Sequence, residues 1–482
     1  MKRPRLLSSI VKKKNWLLLF FGIAVAICVV PMIVRVNHIP SWVAWNEKVI
    51  DSGNGAIVSL HNKKLEVLDS SGNVTFTSEK GFKVQDVIVT DIDRDDEPEL
   101  IALLWKRGIY GKHRPFWVKD EEKNYSQHIF LYDLEKDGSV KHKWGASRTG
   151  IEINRMKLLE RNNAILLVEG RDGDCTLWNW DSWGLKNIEN EVKFVAFGDN
   201  LIHTPIYEYA FGAEGGNFDF LYEPFLKDIE EADVAALNVE TMLVDDESAV
   251  GGFPSFGSPM GVGEAIVKAG FDVASCANNH ALDRGKYGID VTSKFFKDNG
   301  LTVVGVQSSD DKEYRPYELI SRKGIRIALF SYTYGTNAGD ISASYPNMVH
   351  YLPGNEEEEK ELVNALQSAR KEADFVIAFV HWGEEYSQEV SPEQVRMAEL
   401  FAESGTDVII GAHPHVVQKT ELIDRPDGGK ELVYYSLGNF RADQGGKEAT
   451  RRGLEALFTI GYDYDGVSIT DYSQKEIDSY WK

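Results

Sequence analysis

Residues 407–415 read Asp-Val-Ile-Ile-Gly-Ala-His-Pro-His. A short, uninterrupted β-branched run of this kind suits a strand buried on both faces, as in a parallel sheet. Pro414 carries no backbone N–H and cannot extend the ladder, so His413 and His415 are left at the strand's carboxyl end. Four more apolar runs end in the same way. VKFVAF (192–197) leads into Gly198-Asp199-Asn200, VAALNV (234–239) into Glu240, VASCA (273–277) into Asn278-Asn279-His280, and FVIAFV (375–380) into His381-Trp382-Gly383. Between such runs lie helical stretches, clearest at 356–372 and 392–403. The second opens on Ser391-Pro392-Glu393-Gln394, a capping box with proline at the first helical position, and spaces Val395, Ala398, Phe401 and Ala402 as its buried stripe. Strands alternating with helices predict an α/β domain with mostly parallel central strands.

In such a sheet, ligands bind at the carboxyl ends of the strands. Five strands therefore deliver Asp, Glu, Asn and His to one rim. Imidazole, carboxylate and amide groups converging without thiolates suit a pair of divalent transition metals, Mn, Fe or Zn, and His-x-His puts two imidazoles within reach of one centre. The chain has three cysteines and no CxxC, which leaves the metal to His, Asp, Glu or Asn. Neither a GxGxxG nor a GxxxxGK[ST] loop is present, so nucleotide binding through those folds is not expected.

Six ordered segments, GDNLIH (198–203), NVET (238–241), ANNHALDRGKYGI (277–289), HWGEEY (381–386), GAHPH (411–415) and YSLGNF (435–440), carry a family resemblance. Over roughly 192–463, within a domain expected to span 192–470, the chain resembles the CapA/PgsA proteins of poly-gamma-glutamate capsule synthesis, which are similar to the calcineurin-like metallophosphoesterases. The resemblance implies a four-layer α/β/β/α fold holding two metals. It implies that Asp199, Glu240, Asn279, His381, His413 and His415 are ligands, with Glu240 in the bridging place. His280 would stand at the leaving group, with His203 as a second catalytic candidate, and Asn278 and Asn439 would position the ligands. An acid usually follows the catalytic histidine, and here Ala281 does. The implied activity is metal-dependent phosphoester hydrolysis within capsule synthesis or export. A metal-binding accessory subunit without catalysis and a stand-alone cell-surface phosphoesterase are the alternatives, and the implied partners are an anionic polymer or a phosphoester and other membrane subunits of a capsule synthase.

Upstream, residues 39–190 have a different texture: short strands, hairpin turns such as Asp69-Ser70-Ser71-Gly72-Asn73, and almost no helical periodicity. They predict an all-β module resembling propeller blades of the FG-GAP type, with an open stack or sandwich as alternatives. Acids at Asp91, Asp93, Asp95 and Glu99 after the run VIVT suit a calcium loop. Trp178, Trp180 and Trp183 are expected in a strand core rather than as a carbohydrate platform.

The first 14 residues carry six Lys or Arg and no acid, and residues 16–34 follow without a charge. That pattern predicts a basic cytoplasmic tail at 1–15, a single transmembrane anchor at 16–36 and an extracellular remainder. The net charge of −22 argues against nucleic acid as a partner.

Overall fold

The computed structural model describes residues 38–111, 115–118, 123–339, 341–445 and 448–482. The tail and anchor expected at 1–36 lie outside them. Among the described residues no helix is long and apolar enough to cross a membrane. The chain divides into two compact units, ending and beginning at Glu189 and Asn190.

The first unit is three consecutive four-stranded antiparallel meanders. β1 (Lys48–Asp51), β2 (Ile57–His61), β3 (Lys64–Leu68) and β4 (Val74–Thr77) form one sheet; β5 (Lys83–Thr90), β6 (Glu99–Arg107), β7 (Tyr125–Leu134) and β8 (Val140–Gly145) the second; β9 (Ile153–Leu159), β10 (Asn162–Gly170), β11 (Cys175–Asp181) and β12 (Gly184–Ile188) the third. Strand composition explains the stacking. The central sheet is apolar on both faces: Val84, Leu100 and Leu104 pack on Val58 and Val67 of the first, while Ile101, Leu103 and Ile129 pack on Met156, Leu166 and Val168 of the third. The described residues thus form an open stack of blade-like meanders and not a closed ring. Trp178 and Trp180 pack against the core of the third sheet as expected, whereas Trp183, at the tip of the β11–β12 turn, is 89% exposed.

In the second unit the strands, in chain order, are β13 (Glu191–Asn200), β14 (Val234–Val239), β15 (Leu243–Val244), β16 (Ser258–Pro259), β17 (Val273–Ser275), β18 (Thr302–Val304), β19 (Tyr317–Arg322), β20 (Ile325–Thr333), β21 (Phe375–His381), β22 (Val408–Ala412), β23 (Thr420–Asp424), β24 (Lys430–Tyr434), β25 (Asn439–Arg441), β26 (Arg452–Tyr462) and β27 (Val467–Asp478). They build two main sheets, ordered β18-β17-β14-β13-β26-β27, with β25 on the end of β13, and β19-β20-β21-β22-β24-β23. The central pairs β13–β14, β14–β17, β20–β21 and β21–β22 are parallel. β27 pairs with β26 along its length and Trp481 is buried, so this unit continues past the boundary expected at 470.

The sheets lie face to face over a shared apolar core that includes Phe194, Ala236, Ile327, Phe379, Ile410 and Tyr434. Helices α1 (Thr204–Ala213), α2 (Leu226–Glu231), α3 (Met260–Ala269) and α4 (Gly285–Asp298) cover the outer face of the first sheet through Ile206, Ile229, Ile266 and Phe296. Helices α5 (Glu356–Glu372) and α6 (Pro392–Glu403) cover the second through Leu366, Ala369, Met397 and Phe401. Helix, sheet, sheet and helix form the four layers. Asn355 caps α5 by accepting the N–H groups of Glu357 and Glu358, and the capping box of α6 is present. The buried stripe of α6 is rotated from expectation: Gln394 and Met397 are buried and Val395 is not, because the Gln394 amide donates to Gln418 Oε1 at 2.9 Å.

Candidate metal centre

The sequence places the ligand-type residues at one rim, and the fold explains why two sheets are needed to do it. Asp199 ends β13, Glu240 follows β14, and Asn279 and His280 follow β17, all in the first sheet; His381 ends β21 and His413 and His415 follow β22, in the second. Two glycines permit the approach. A Cβ on Gly198 would sit 1.9 Å from the Gly438 carbonyl oxygen, and one on Gly411 would sit 2.0 Å from that of Tyr435. With hydrogen there instead, the Asp199 N–H reaches Gly438 O at 3.0 Å and the strand end is pinned against the YSLGNF segment. His413 and His415 have φ of 99° and 58°, a left-handed backbone that costs a non-glycine residue about 1–3 kcal/mol and clusters at functional sites.

All six expected ligands are brought together, each 5% exposed or less. Asp199 accepts from Asn238 Nδ2 at 2.8 Å and lies 2.9 Å from His415 Nδ1. The His381 Nε2 atom has Asn279 Oδ1 at 2.9 Å, His413 Nδ1 at 3.1 Å and Glu240 Oε1 at 3.6 Å. A single ring N–H can satisfy one of those three atoms. Glu240 is fully buried, and neither of its oxygens has a hydrogen-bond partner. The Asn279 Nδ2 atom is also buried without a partner. Two sets of ligand atoms, Glu240 with His381 and His413, and Asp199 with Glu240 and His415, each lie within 4.8 Å of one another, and Glu240 belongs to both.

The electrostatics point the same way. Burial, with the Asp199 charge adding to it, pushes the Glu240 carboxyl well above the usual range. Burial, reinforced by neighbouring imidazoles, pushes His381 well below its usual value and His413 to about 4. The imidazoles are thus neutral, the form that ligates metal, while a buried carboxyl with no partner is costly when charged. An excess of acceptors around an unpaired carboxylate fits a divalent cation better than it fits a closed hydrogen-bond network.

His280 and His203 fall outside both ligand sets. His280 Nδ1 lies 2.7 Å from Asp283 Oδ2, which also accepts the Phe256 N–H at 2.8 Å. Phe256 packs edge-on against both rings, 4.7 Å from His280 and 5.3 Å from His203. His203 is the N-cap residue of α1; its Nδ1 lies between Leu201 O at 2.9 Å and the Asp443 N–H at 3.1 Å, and burial lowers its pKa to about 4. Asn278 is a strut: its amide donates to Val239 O at 2.8 Å and its oxygen accepts the His280 N–H at 3.1 Å. Asn439 Oδ1 stands 3.1 Å from His415 Nδ1, while its Nδ2 donates to Thr450 O at 3.0 Å.

Three residues of the centre stand outside the sequence-based expectation. Asn238 holds Asp199, and its place in NVET, two residues before Glu240, was the available signal. Asp283 supplies the acid that Ala281 does not, and the His-x-x-Asp spacing could have found it. Tyr334 lies parallel to His381, with ring centroids 6.4 Å apart, and packs on His413 at 4.6 Å, a contact only the tertiary fold creates.

In the first unit, ligand atoms of Asp91, Asp93 and Glu99 also lie within 4.8 Å of one another; Asp95 is outside that group and accepts the Glu97 N–H at 3.0 Å. Here the Lys143 ammonium contacts Asp93 and Glu99 at 2.6 Å and Asp133 at 2.9 Å. Burial opposes its charge, but the hydrogen bonds it donates to those carboxylates outweigh it and raise the pKa.

Residues 193–444 match the family described as bacterial capsule synthesis protein PGA_cap. The capsule biosynthesis protein CapA of Bacillus anthracis is 33% identical over 210 residues, 43% of this chain and 48% of that protein. The PGA biosynthesis protein CapA of Bacillus subtilis strain 168 is 33% identical over 177 residues, 36% and 43% of the two chains. The chain therefore spans about half the length of the curated relatives it matches. The solved structure of calcineurin-like phosphoesterase YfkN from Bacillus subtilis aligns over 60% of this chain and 91% of that one, with 15% identity and a TM-score of 0.34.

Proposed function

The chain belongs to the PGA_cap family of bacterial capsule synthesis proteins, and from that premise we propose that it is a membrane-anchored, metal-dependent phosphoesterase acting in the synthesis or export of an anionic capsule polymer of the poly-gamma-glutamate type. The observation that carries this reading is Glu240, a buried carboxylate with two unbonded oxygens that two ligand sets share. In the proposed centre, Asp199, Glu240 and His415 hold one divalent ion and Glu240, His381, His413 and Asn279 the other. Bound there, a Mn, Fe or Zn pair supplies Lewis-acid charge to a phosphoryl oxygen and to an attacking water.

The remaining work falls to the chain's own side chains. Asp283 fixes the His280 ring through Nδ1, so Nε2 is the atom free to give a proton to the departing oxygen. Asn238 and Asn439 hold Asp199 and His415 in register. Tyr334 and Phe256 wall the histidines with apolar rings and limit water around them. The basic tail and the apolar run at 16–34 support a topology with the N-terminus in the cytoplasm and both units outside.

The test is a panel of phosphomonoesters and phosphodiesters offered to the metal-loaded chain. Hydrolysis by the wild type that disappears in His280→Ala, with bound metal unchanged, is the expected result. A chain that holds metal and hydrolyses nothing in the panel would instead favour the accessory role.

A further inference from the structure

One end of the first unit differs in chemistry from the acidic chain around it. Between Lys106 and Lys123 the sequence holds six Lys or Arg against three acids, in a protein of net charge −22. The same β6–β7 connection carries Phe116 and Trp117, which are 92% and 68% exposed and pack edge to face at 4.9 Å. The Gly108 N–H closes the base of this connection on Asn124 O at 3.0 Å. Beside it lies a cavity of about 510 Å³ lined by Trp105, Tyr125, Lys123 and Arg148, with the exposed side chains of Ile109 and Ile151 at its edge. A single exposed apolar side chain is ordinary; four large ones interleaved with cations at one end mark a contact surface.

The chain also enters the unit at this end. Trp42 packs edge-on against Trp105 of the cavity wall at 6.1 Å. Arg171 lies over the Trp42 ring at 5.6 Å and contacts Glu152, also in that wall, at 3.3 Å. Val34, the last residue of the uncharged run, precedes His38 by four peptide steps, a reach of at most about 14 Å. An anchor at 16–34 therefore holds this end, rather than another, close to the bilayer.

We propose that the end of the first unit bearing Ile109, Phe116, Trp117 and Ile151, with Lys123 and Arg148 among them, rests in the anionic headgroup layer of the membrane that holds the N-terminal apolar run. Aromatic rings sit well at that depth, and Lys and Arg extend along apolar surface to reach lipid phosphates. The inference rests on the membrane-anchor reading and adds a second contact that orients the unit on the surface.

Hydrogen exchange of residues 106–125 tests it, with the full chain reconstituted in nanodiscs of phosphatidylcholine alone or mixed with phosphatidylglycerol. Exchange in the mixed discs is expected to be slower by about thirtyfold, the effect of two cations at an anionic surface. That protection should disappear in neutral discs, in Phe116→Ser/Trp117→Ser, and in Lys123→Glu/Arg148→Glu. A chain recovered in the aqueous fraction would remove the anchor reading and this inference with it. An inserted chain whose 106–125 exchange ignores lipid charge would overturn the inference alone. Protection that ignores lipid but rises with protein concentration would assign the surface to a second copy and also overturn it.

Discussion

Asp91, Asp93 and Glu99 in the first unit, and Asp199, Glu240 and His415 in the second, are both groups of ligand-type side chains gathered within 4.8 Å. They differ in where the balancing charge comes from. In the first, Lys143 reaches in from β8 and contacts Asp93 and Glu99 at 2.6 Å, so the positive charge is part of the chain. In the second, Glu240 is left with two unbonded oxygens, and burial keeps the His381 and His413 imidazoles beside it neutral. A tethered ammonium makes an acidic cluster a fixed strut. An acidic cluster without one calls for a cation from outside, and that makes it a centre that can be loaded.

Removing the tether should give the largest change. Lys143→Met leaves Asp93 and Glu99 facing each other with no cation and is expected to destabilise the first unit by about 3 kcal/mol, the low end for a broken buried pair because Lys143 is partly exposed. Millimolar calcium should then raise the melting temperature of Lys143→Met and leave the wild type unmoved. A wild type that calcium stabilises as strongly as the variant would erase the distinction between the clusters.

Next in size is the catalytic side of the second cluster. His280→Ala should lower phosphoester hydrolysis by roughly 10²-fold or more. Asp283→Asn keeps the ring but removes the charged partner of Nδ1, and a smaller loss of about tenfold is expected, together with a displaced pH–rate profile. A loss in Asp283→Asn with no change in profile would mean that Asp283 acts only by holding Phe256.

The last effect is read only in acid and belongs to the second unit, at a residue outside both clusters. Burial, with the Arg315 charge adding, lowers His350 to about 3. Its unfolded value is near 6.5. Its contribution to stability is thus complete above about pH 6.5 and is lost as pH falls toward 3, because the unfolded chain takes up the proton first. His350→Phe should flatten that part of an acid-stability curve, measured by denaturant melts at several pH values, with calcium-free and metal-free protein used throughout. An unchanged slope would place the acid sensitivity elsewhere.

Much of the second unit was legible because its local and long-range signals agree. The runs at 192–197, 234–239 and 375–380 are strands as read, and the residues that end them converge. Capping chemistry fixed the start of α6, yet the orientation of its buried face turned on Gln394, a polar residue buried because Gln418 happens to lie opposite. The first unit was harder to read. Twelve short strands announce hairpins, but whether meanders stack or close into a ring depends on contacts between sheets that no local pattern encodes. Lys143 illustrates the same gap: it lies 44 residues from Glu99 in sequence, and nothing in the acidic loop announces the ammonium that occupies it. Asn238 and Asp283 were within reach, since each stands inside a segment already singled out, but their roles depend on which face of strand β14 the first occupies and on how the turn after β17 directs the second.

Metal content read beside thermal stability decides whether Glu240 is buried so that it can share external cations. Wild-type chain should carry about two divalent ions and Glu240→Gln close to none. With ions at roughly a hundredfold their dissociation constant, each site is worth about 2.7 kcal/mol and the pair about 5 kcal/mol. For a unit of this size a chelator should then lower the wild-type melting temperature by about 10–20 °C and leave Glu240→Gln where it was. A wild type that melts at the same temperature with and without divalent ions, or a Glu240→Gln chain that retains the full metal content, would contradict the account.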